Sequence, residues 1–527
     1  MLPDALLNPE TWPEPRPARV ELVETHVSWV LRGEREVLKV KKPVNLGFLD
    51  FRALERRLAA CEAEVRLNRR LTRDVYLGVV PIVEPAPGVV RVGHDGPPVD
   101  WAVHMVRLDD ERRADAMLEH GALRAVHVDH LARVVADFHA RGAVDSHEAN
   151  RWASHSAVAR NVDENFVQTR GVAQRYVPRT VAEEAEERQR AFLAQHTDLF
   201  AARITAGRIR DGHGDLRLEH VYFEDTGLQI IDCIEFDPRY RIADACADVA
   251  FLAMDFESHG RADLAERFLA RYARAADDYA LYAMVDFYAA YRAWVRGKVA
   301  AILAGDAGAS AAARARATRD ARRHFLLAAA AARPALVAPT LVCVGGLIGS
   351  GKSTIAEALA DDLSCPIVDA DRTRKHLLGA GETEPIHDRP WHGGYDPSVT
   401  EAVYEEVLSR ASTVLASGRP VVIDASFRSR AQRQEARELA RAHGVRFRFV
   451  ECRARAQVCR ERLIERARRP TQSDGRLAIF DDFAASYEPV TELSPAEHVA
   501  LDTTRPLDQS VAELRAHVAT WPRGLVA

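Results

Sequence analysis

Lysine is scarce in this chain: only six of its 72 basic residues are lysines. Arginine therefore serves wherever a generic positive charge is enough, and lysine remains where a compact ammonium on a flexible stem is needed. Chance scatter does not explain why three of the six fall within residues 39–42. The full set is Lys39, Lys41, Lys42, Lys298, Lys352 and Lys375.

Long runs of one charge are also missing, and the formal net charge is −5. A protein that coats nucleic acid or lies on an anionic membrane needs a basic face, so both roles are disfavoured. The longest apolar run, residues 325–332, is too short to span a bilayer. We therefore expect no membrane partner and regard nucleic acid as an improbable one.

The seven cysteines are dispersed, odd in number and contain no C-x-x-C pair. Such a set is typical of reduced thiols in a cytosol and argues against a structural zinc site. The N-terminus lacks the basic and apolar regions of a signal peptide. These absences together predict a cytoplasmic protein.

The chain is 527 residues long, which is too long for one hydrophobic core, so two to four domains are expected. Its clearest composition break is a run of small residues at 304–310, with the Arg333-Pro334 pair further on. We predict a first domain at 1–303, an Ala/Arg-rich connecting helix at 304–338 and a second domain at 339–527.

The second domain alternates short apolar strands with helices, which predicts a doubly wound parallel α/β sheet. Its predicted helices include 398–417, 428–443 and 508–519. Its predicted strands are 340–344, 366–369, 420–424, 446–451 and 498–501.

A phosphate-binding loop follows the first of these strands. The segment from Gly346 to Ser353 reads G-L-I-G-S-G-K-S, which fits G-x4-G-K-[S/T] without a mismatch. Its glycines let backbone N–H groups converge on a triphosphate at a helix N-terminus. Lys352 supplies charge to the β- and γ-phosphates, and Ser353 can ligate Mg²⁺. The predicted ATP-binding residues of this loop are Gly346, Gly349, Ser350, Gly351, Lys352, Ser353 and Thr354.

Two aspartates at later strand ends complete a predicted transfer site. The apolar strand ending at Asp424 has the Walker B pattern, whose Asp holds Mg²⁺. Ala425 follows it, where motor ATPases usually carry a water-activating Glu, and this favours a kinase.

The segment 368–375, V-D-A-D-R-T-R-K, resembles one found in small P-loop kinases such as chloramphenicol phosphotransferase, zeta-toxin-like kinases and polynucleotide kinase. Because an Asp at the carboxyl edge of the sheet faces the acceptor pocket, Asp371 is the predicted base, with Asp369 as the second candidate. Arg374 and Lys375 either bind an anionic acceptor or cap a helix surface.

A basic helix face is a candidate lid over the phosphates. Arg462, Arg466 and Arg469 recur at i, i+4 and i+7, so they share one side of a predicted helix. There they could stabilise charge in the transition state. The alternative is a solvated face whose arginines pair with neighbouring glutamates.

Residues 1–303 begin with short strands and continue as helices. Predicted strands are 20–31, 36–42, 78–84 and 101–107, with a helix at 51–72 and one later β segment at 221–234. A β-rich lobe followed by a helical lobe is the layout of the protein-kinase-like fold. The glycine-rich loop of protein kinases is missing.

The stretch R-D-G-H-G-D-L-R-L-E-H, residues 210–220, resembles the catalytic loop of aminoglycoside phosphotransferases, choline kinases and fructosamine kinases. The resemblance implies that Asp215 activates the acceptor hydroxyl and that Asp232, in Q-I-I-D, binds Mg²⁺. The family's metal-binding Asn is replaced by His220, a weaker ligand for a hard cation. Asp244 falls where the relatives carry an Asp that braces the loop.

The same resemblance implies a lysine–glutamate pair that holds the nucleotide. Lys39, in V-L-K, matches the third-strand lysine, and Lys41 on the same strand face is the runner-up. Glu64 matches the helical partner of that lysine, with Glu62 as the alternative register.

As a whole, the chain resembles bacterial proteins described as bifunctional aminoglycoside phosphotransferase/ATP-binding proteins. We predict an enzyme with two nucleotide sites that transfers phosphate from Mg²⁺-ATP to hydroxyl groups of small metabolites. One alternative is a regulatory protein in which a degenerate first domain senses a ligand and controls the second. Another is a kinase for nucleic-acid ends. The acceptors and the oligomeric state stay open.

Overall fold

A computed structural model describes residues 2–25, 27–45, 49–330, 337–381, 384–386, 388–468 and 474–518. The chain divides into two compact units. The N-terminal unit comprises Met1–His259 and Phe287–Ala329, and the C-terminal unit comprises Gly260–Asp286 and Ala330–Ala527. In the described part of the chain, no helix has both the length and the apolar character that crossing a membrane requires.

The strands, in chain order, are β1 (Glu21–Glu24), β2 (Ser28–Arg32), β3 (Glu36–Lys41), β4 (Tyr76–Ala86), β5 (Val89–Val92), β6 (Pro98–Val106), β7 (Ile209–Asp211), β8 (Val221–Glu224), β9 (Gly227–Ile230), β10 (Ile242–Asp244), β11 (Thr340–Gly345), β12 (Ile367–Asp369), β13 (Val421–Asp424), β14 (Arg446–Arg453) and β15 (His498–Asp502).

The helices, in chain order, are α1 (Leu2–Leu6), α2 (Leu54–Asn68), α3 (Ala114–Glu119), α4 (Ala125–Arg141), α5 (Ser146–Ala153), α6 (His155–Thr169), α7 (Arg179–Gln195), α8 (Thr197–Thr205), α9 (Ala245–Ser258), α10 (Ala262–Ala275), α11 (Val285–Ala304), α12 (Ala311–Ala329), α13 (Lys352–Leu363), α14 (Ala370–Leu377), α15 (Pro397–Ala416), α16 (Arg430–Ala442), α17 (Ala456–Arg466), α18 (Phe480–Ala485) and α19 (Leu507–Arg515).

The N-terminal unit begins with an antiparallel sheet whose strand order is β1-β2-β3-β6-β4-β5. Because side chains alternate along a strand, β3 places Leu38 and Val40 in one apolar cluster and Val37 in another, against α2. Lys39 and Lys41 lie on the same face as Val37 and therefore also point toward α2. The predicted single strand 20–31 is wrong, because β1 and β2 are separate strands that pair antiparallel.

The rest of the N-terminal unit is mainly helical, with the small antiparallel pairs β7–β10 and β8–β9. The stretch that contains Asp215 lies between β7 and β8, and Asp232 follows β9. A β-rich lobe followed by a helical lobe confirms the predicted protein-kinase-like architecture.

The C-terminal unit is built on a parallel sheet with strand order β12-β13-β11-β14-β15. All six residues of β11 are buried, as expected for a strand covered on both faces. The register aligns Asp369 with Asp424 and Val344 with Asp424, so three strand ends meet at one edge. This confirms the predicted doubly wound α/β sheet.

Residues 260–286, here called the excursion, leave the N-terminal unit between α9 and α11 and belong to the C-terminal unit. The Tyr279 hydroxyl donates to the carbonyl oxygen of Ile367 in edge strand β12 at 2.5 Å. Arg410 of α15 binds Asp277 at 2.7 Å. The predicted domain limits stay a prediction: they assign the excursion to the first domain, whereas its contacts are with the second.

Candidate active sites

The loop between β11 and α13 has the backbone geometry of a phosphate cradle. Gly346, Gly349 and Gly351 have φ values of 133°, 77° and 93°, in the region that favours glycine. A Cβ at Gly346 would lie 2.5 Å from the carbonyl oxygen of Cys452, and one at Gly349 would lie 2.6 Å from that of Cys459. The loop therefore requires glycine here for steric reasons, and its shape suits a triphosphate.

Two side chains of the loop occupy the positions that nucleotide and metal would need. The Lys352 ammonium donates to the carbonyl oxygen of Leu347 at 3.1 Å, across the mouth of the loop. The Ser353 hydroxyl lies beside the carboxylate of Asp424, and both residues line the same cleft. Burial raises the pKa of Asp424, and Lys352 and Ser353 oppose this effect. These contacts fit the predicted roles of Lys352 in phosphate binding and of Ser353 and Asp424 in holding Mg²⁺.

A third acidic group completes the carboxyl edge. Asp369 caps α14 by accepting from the backbone N–H of Arg372 at 2.9 Å. Burial, together with Asp424 and Asp371, raises the pKa of Asp369 to about 7. Asp371, in the first turn of α14, lines the cleft and forms no ion pair among the described residues. Asp371 is therefore the carboxylate available to a substrate, and Asp369 is committed to the helix cap.

A cleft of about 490 Å³ contains these groups. Its lining combines residues of the phosphate loop with aromatic, hydroxyl-bearing and charged side chains. The lining residues that we assign to an acceptor side are Asp371, Arg374, Trp391, Tyr395, Thr400, Tyr404, Ser426, Arg428 and Phe483.

The predicted lid arginines separate into two roles. Arg466 lines the cleft, beside Ile348 and Gly475. Arg462 instead donates to the carbonyl oxygens of Thr503, at 2.7 Å, and Gly349, at 3.5 Å, and so supports the loop. Arg469 lies outside the described residues.

Two cleft arginines were not part of the predicted site. Arg428 follows β13 and stacks on Trp391, with 4.0 Å between the guanidinium carbon and the ring centroid. Arg274 belongs to the excursion and forms an ion pair with Glu357 of α13. Sequence reasoning had no signal for Arg274, since it lies 78 residues before Lys352 in a segment assigned to another domain.

In the N-terminal unit, one buried glutamate holds two lysines. The Glu64 side chain is fully buried and binds Lys39 at 2.8 Å and Lys41 at 2.5 Å, one lysine on each oxygen. Lys39 also binds Asp232, and Lys41 also binds Glu235. Burial lowers the pKa of Lys39, but Asp232 and Glu64 more than offset it and raise that pKa well above its usual value.

The network brings together some of the residues predicted around the lysines. Glu64, and not the exposed Glu62, contacts them. Both Lys39 and Lys41 bind Glu64, so the two candidates form one cluster. Glu235 was missed, because nothing in its sequence surroundings distinguishes it from an ordinary acidic residue.

The predicted catalytic aspartate of this unit already has a cation. The Arg217 guanidinium donates to both oxygens of Asp215, at 3.1 and 2.9 Å. Burial raises the pKa of Asp215, but Arg217 and His220 hold it well below its usual value. Arg217 also binds Glu219 and is itself buried. The carboxylate of Asp215 is thus already bound by a cation of the chain itself.

His220 lies between the two aspartates. Its Nδ1 is 2.8 Å from the carbonyl oxygen of Asp215, and its Nε2 is 3.7 Å from the nearer carboxylate oxygen of Asp232. Asp232 has a φ of 68°, in the left-handed region. Within the described residues there is no group of three or more His, Cys, Asp or Glu side chains arranged to hold a metal ion. A Mg²⁺ ion held with nucleotide takes only one or two protein carboxylates.

The loop before Asp215 is braced by Asp248, and the prediction for Asp244 is wrong. Asp248 accepts from the backbone N–H groups of His213, at 2.6 Å, and Gly214, at 2.9 Å. Asp244 is the N-cap of α9 and binds Arg203 at 2.6 Å. The physical reason is the start of α9 at Ala245, which turns Asp244 toward α8 and leaves Asp248, one turn on, facing the loop.

Comparison with known proteins identifies relatives over most of the chain. "Uncharacterized protein Rv2004c" of Mycobacterium tuberculosis (strain ATCC 25618 / H37Rv) is 35% identical over 449 residues, 85% of this chain and 86% of its own length. The chain belongs to its family. Shikimate kinase 2 of Yersinia enterocolitica is 29% identical over 174 residues, 32% of this chain and 90% of its own.

A family model described as an AAA domain matches residues 341–490, within the C-terminal unit. This match confirms the P-loop resemblance predicted from Gly346–Ser353 and supports a phosphotransferase. Two solved structures show more distant likeness. A gluconokinase from Sinorhizobium meliloti 1021 has a TM-score of 0.26 and 24% identity, covering 35% of this chain and 93% of its own. A choline/ethanolamine kinase family protein from Mesorhizobium loti has a TM-score of 0.33 and 12% identity, covering 59% and 92%.

Proposed function

We propose that the C-terminal unit transfers the γ-phosphoryl group of Mg²⁺-ATP to a hydroxyl group of a small molecule. The observation that carries this proposal is the convergence of Lys352, Asp424 and Asp371 on one cleft. The first two belong to the phosphate and metal side, and Asp371 lies on the acceptor side. A phosphotransferase needs these three functions in one cavity, because its catalysis is mainly positioning and charge stabilisation.

In this proposal each group has a separate task. Lys352 and the loop N–H groups bind the phosphates, and Ser353 and Asp424 hold the metal, which would neutralise developing charge. Asp371 orients the acceptor hydroxyl and takes its proton as the new O–P bond forms and ADP leaves. Arg466 is positioned to stabilise charge on the transferred group.

The test is ATP turnover by the full-length protein with a panel of hydroxylated metabolites. Asp371→Asn should lower turnover about 100-fold or more and leave ATP affinity within about twofold, because a general base contributes that much without touching ATP. Asp508→Asn, in the first turn of α19, is the matched control and should behave as wild type. Equal loss of ATP binding and turnover in Asp371→Asn would refute this division of roles.

For the N-terminal unit we propose a regulatory role, in which a bound ligand controls the protein and no phosphoryl group is transferred. The Arg217–Asp215 pair favours this role over phosphoryl transfer, because Asp215 is neutralised by an internal cation. The rival is the second nucleotide-dependent transfer predicted from the sequence. Asp215→Ala in the full-length protein decides between them. Unchanged phosphorylation of every acceptor supports sensing, and loss of any one acceptor supports a second transfer site.

A further inference from the structure

Two arginines on the acceptor side of the C-terminal cleft have no acidic partner among the described residues. Arg374 of α14 is only 6% exposed; it donates from Nη1 to the carbonyl oxygen of Gly394 at 2.6 Å and lies over the Tyr395 ring, 5.1 Å from its centroid. In the part of the chain that the structure describes, its buried Nε has no hydrogen-bond partner. Arg428 stacks on Trp391, and likewise forms no ion pair with any residue that the structure describes.

Other buried arginines of the same unit are paired. Arg433 binds Glu492 at 2.6 Å, Arg410 binds Asp277 at 2.7 Å, and Arg267 binds Asp361 at 2.9 Å. A guanidinium removed from water needs such a partner, because its desolvation costs several kcal/mol. Arg374 departs from this pattern and lines a cleft, so its counter-anion is one that the described residues do not supply.

Arg374 and Arg428 lie close enough for their positive charges to interact. Burial lowers the pKa of Arg428, and the nearby positive charge of Arg374 lowers it further. Two like charges at a desolvated surface repel each other, and an anion bound between them offsets that repulsion. Stacking on Trp391 covers one face of Arg428 and leaves the N–H edge of its fork free for an oxyanion.

The position of this pair relates the anion to the reacting hydroxyl. Arg374 follows Asp371 by three residues on α14, so the two side chains are neighbours on one face of the helix, about 5–6 Å apart at Cβ. Residues of the phosphate loop line the same cleft as Asp371 and Arg374. An acceptor that spans these groups carries its anion within a few bonds of its hydroxyl.

We infer that Arg374 and Arg428 form an anion subsite for the acceptor, which is therefore a small hydroxylated compound bearing a carboxylate or a phosphate group. This inference rests on the proposed function for the identity of the acceptor, but the subsite itself can be tested without catalysis. Both oxyanions match the guanidinium fork.

The binding test uses the full-length protein with its phosphate loop filled by Mg²⁺ and a non-hydrolysable ATP analogue. Inorganic phosphate and acetate are then titrated separately by calorimetry. One of them should bind, and Arg428→Gln should weaken that binding about 10- to 100-fold, as expected for loss of a charge-assisted contact. Arg430→Gln, an exposed residue two positions along, is the matched control and should have no effect. Equal binding by wild type and Arg428→Gln, or none to either, would overturn the subsite.

The turnover test compares glycerate, glycerol 3-phosphate and glycerol, which differ in the anion and share a primary or secondary alcohol. One of the anionic pair should be the better acceptor, and its identity distinguishes a carboxylate from a phosphate subsite. Arg428→Gln should raise KM for that acceptor about 10- to 100-fold and leave KM for ATP unchanged. Because Arg374 is buried, two of its variants are compared. Arg374→Lys, which keeps the charge, should retain more activity than Arg374→Met.

The outcomes separate the two claims. Preference for glycerol, or phosphorylation of only a 5′-hydroxyl oligonucleotide, would overturn the anionic acceptor and leave the phosphotransferase proposal standing. Failure to phosphorylate any acceptor in a broad panel, with anion binding intact, would refute the proposed function and leave the subsite standing.

Discussion

The two candidate sites differ most in how their charges are compensated. In the N-terminal unit, Glu64 binds two lysines, and Arg217 donates to both carboxylate oxygens of Asp215. In the C-terminal unit, Asp371 and Arg374 have no ion-pair partner among the described residues, although they lie one helical turn apart. The first site is thus a closed ionic network, and the second leaves its charges open toward a cleft.

This difference has an energetic consequence. Buried charges that satisfy one another stabilise the fold only while both partners are present, because removal of one leaves the other uncompensated. Open charges are retained at a cost in folding energy and are expected where a ligand supplies the missing partner. The comparison therefore supports the proposal that the C-terminal cleft binds the reacting substrate, and the predictions below test it in order of expected effect.

The largest effect is expected at the phosphate loop. Lys352→Ala should lower ATP-dependent turnover by about 100- to 1000-fold, because the triphosphate loses a charge aimed at it. Within the described residues the side chain makes one hydrogen bond, to the carbonyl of Leu347, so the fold should be unaffected. Turnover and circular dichroism of the full-length protein measure the two properties. Lys298→Ala, in the N-terminal unit, serves as the control.

If Lys352→Ala kept wild-type turnover, the catalytic nucleotide would bind elsewhere. The network around Lys39 and Glu64 would then become the transfer site, and the assignment of roles to the two units would have to be reversed.

The second prediction compares one arginine from each site. Arg217→Met should cost about 3–5 kcal/mol in the free energy of unfolding, because it leaves Asp215 and Glu219 without their cation. Arg374→Met should cost about 1–2 kcal/mol, because it strands no carboxylate and loses one hydrogen bond to a carbonyl together with the contact with the Tyr395 ring. Denaturant unfolding of the two variants and the wild type gives both numbers. Equal costs would remove the distinction between closed and open sites.

Much of the fold and of the C-terminal site could be predicted, because the signals there are local. The loop 346–353 carries its own geometry in its glycines, and the strand ending at Asp424 is a contiguous apolar run. Arg428 and Arg274 were missed, because their placement depends on contacts between distant segments. Arg217 was missed for another reason: it stands beside Asp215 in sequence, but the side-chain direction that pairs them is not encoded in the pattern.

The domain boundaries are difficult to predict from the sequence for the same reason. A composition break at 304–338 marks where the chain changes character, but it carries no information about which sheet a helix packs on. The excursion reads as ordinary amphipathic helix, and its charged residues find partners such as Arg410 only in the folded unit. Experiments on the C-terminal site should therefore keep residues 260–286.

The third prediction concerns pH and the closed network. His213 is fully buried, its Nδ1 accepts from the backbone N–H of Asp215 at 3.2 Å, and its Nε2 donates to the carbonyl of Ile231 at 2.9 Å. Burial, with His220 nearby, lowers its pKa from 6.5 to about 4. Between about pH 6.5 and pH 4 the imidazole of His213 is protonated in the unfolded chain and neutral in the folded protein. Protonation therefore favours the unfolded state, and the free energy of unfolding falls as the pH is lowered through this range.

The expected loss from His213 is about 3 kcal/mol by pH 4, with none above pH 7. His213→Asn keeps an acceptor near the Asp215 N–H and should flatten this part of the pH profile, whatever it costs at pH 7. Unfolding free energies of both proteins at pH 7.0, 5.5 and 4.5 supply the comparison. Parallel profiles would mean that His213 titrates normally and that the loop around Asp215 is open to solvent.

The smallest effect is expected for the ion pair between the excursion and α15. Asp277→Asn removes one of two carboxylates from Arg410, which keeps Glu406 at 2.7 Å, so the cost should be about 1 kcal/mol. Because Asp277 follows α10 in the chain but contacts α15, the loss should appear as faster hydrogen exchange in β12 and β13, and not in β2 and β3 of the N-terminal unit. Asp306→Asn, also acidic and close in sequence but in the segment after α11, is the control. Faster exchange in β2 and β3 instead would assign residues 260–286 to the N-terminal unit, and the open cleft would then owe its shape to residues 330–527 alone.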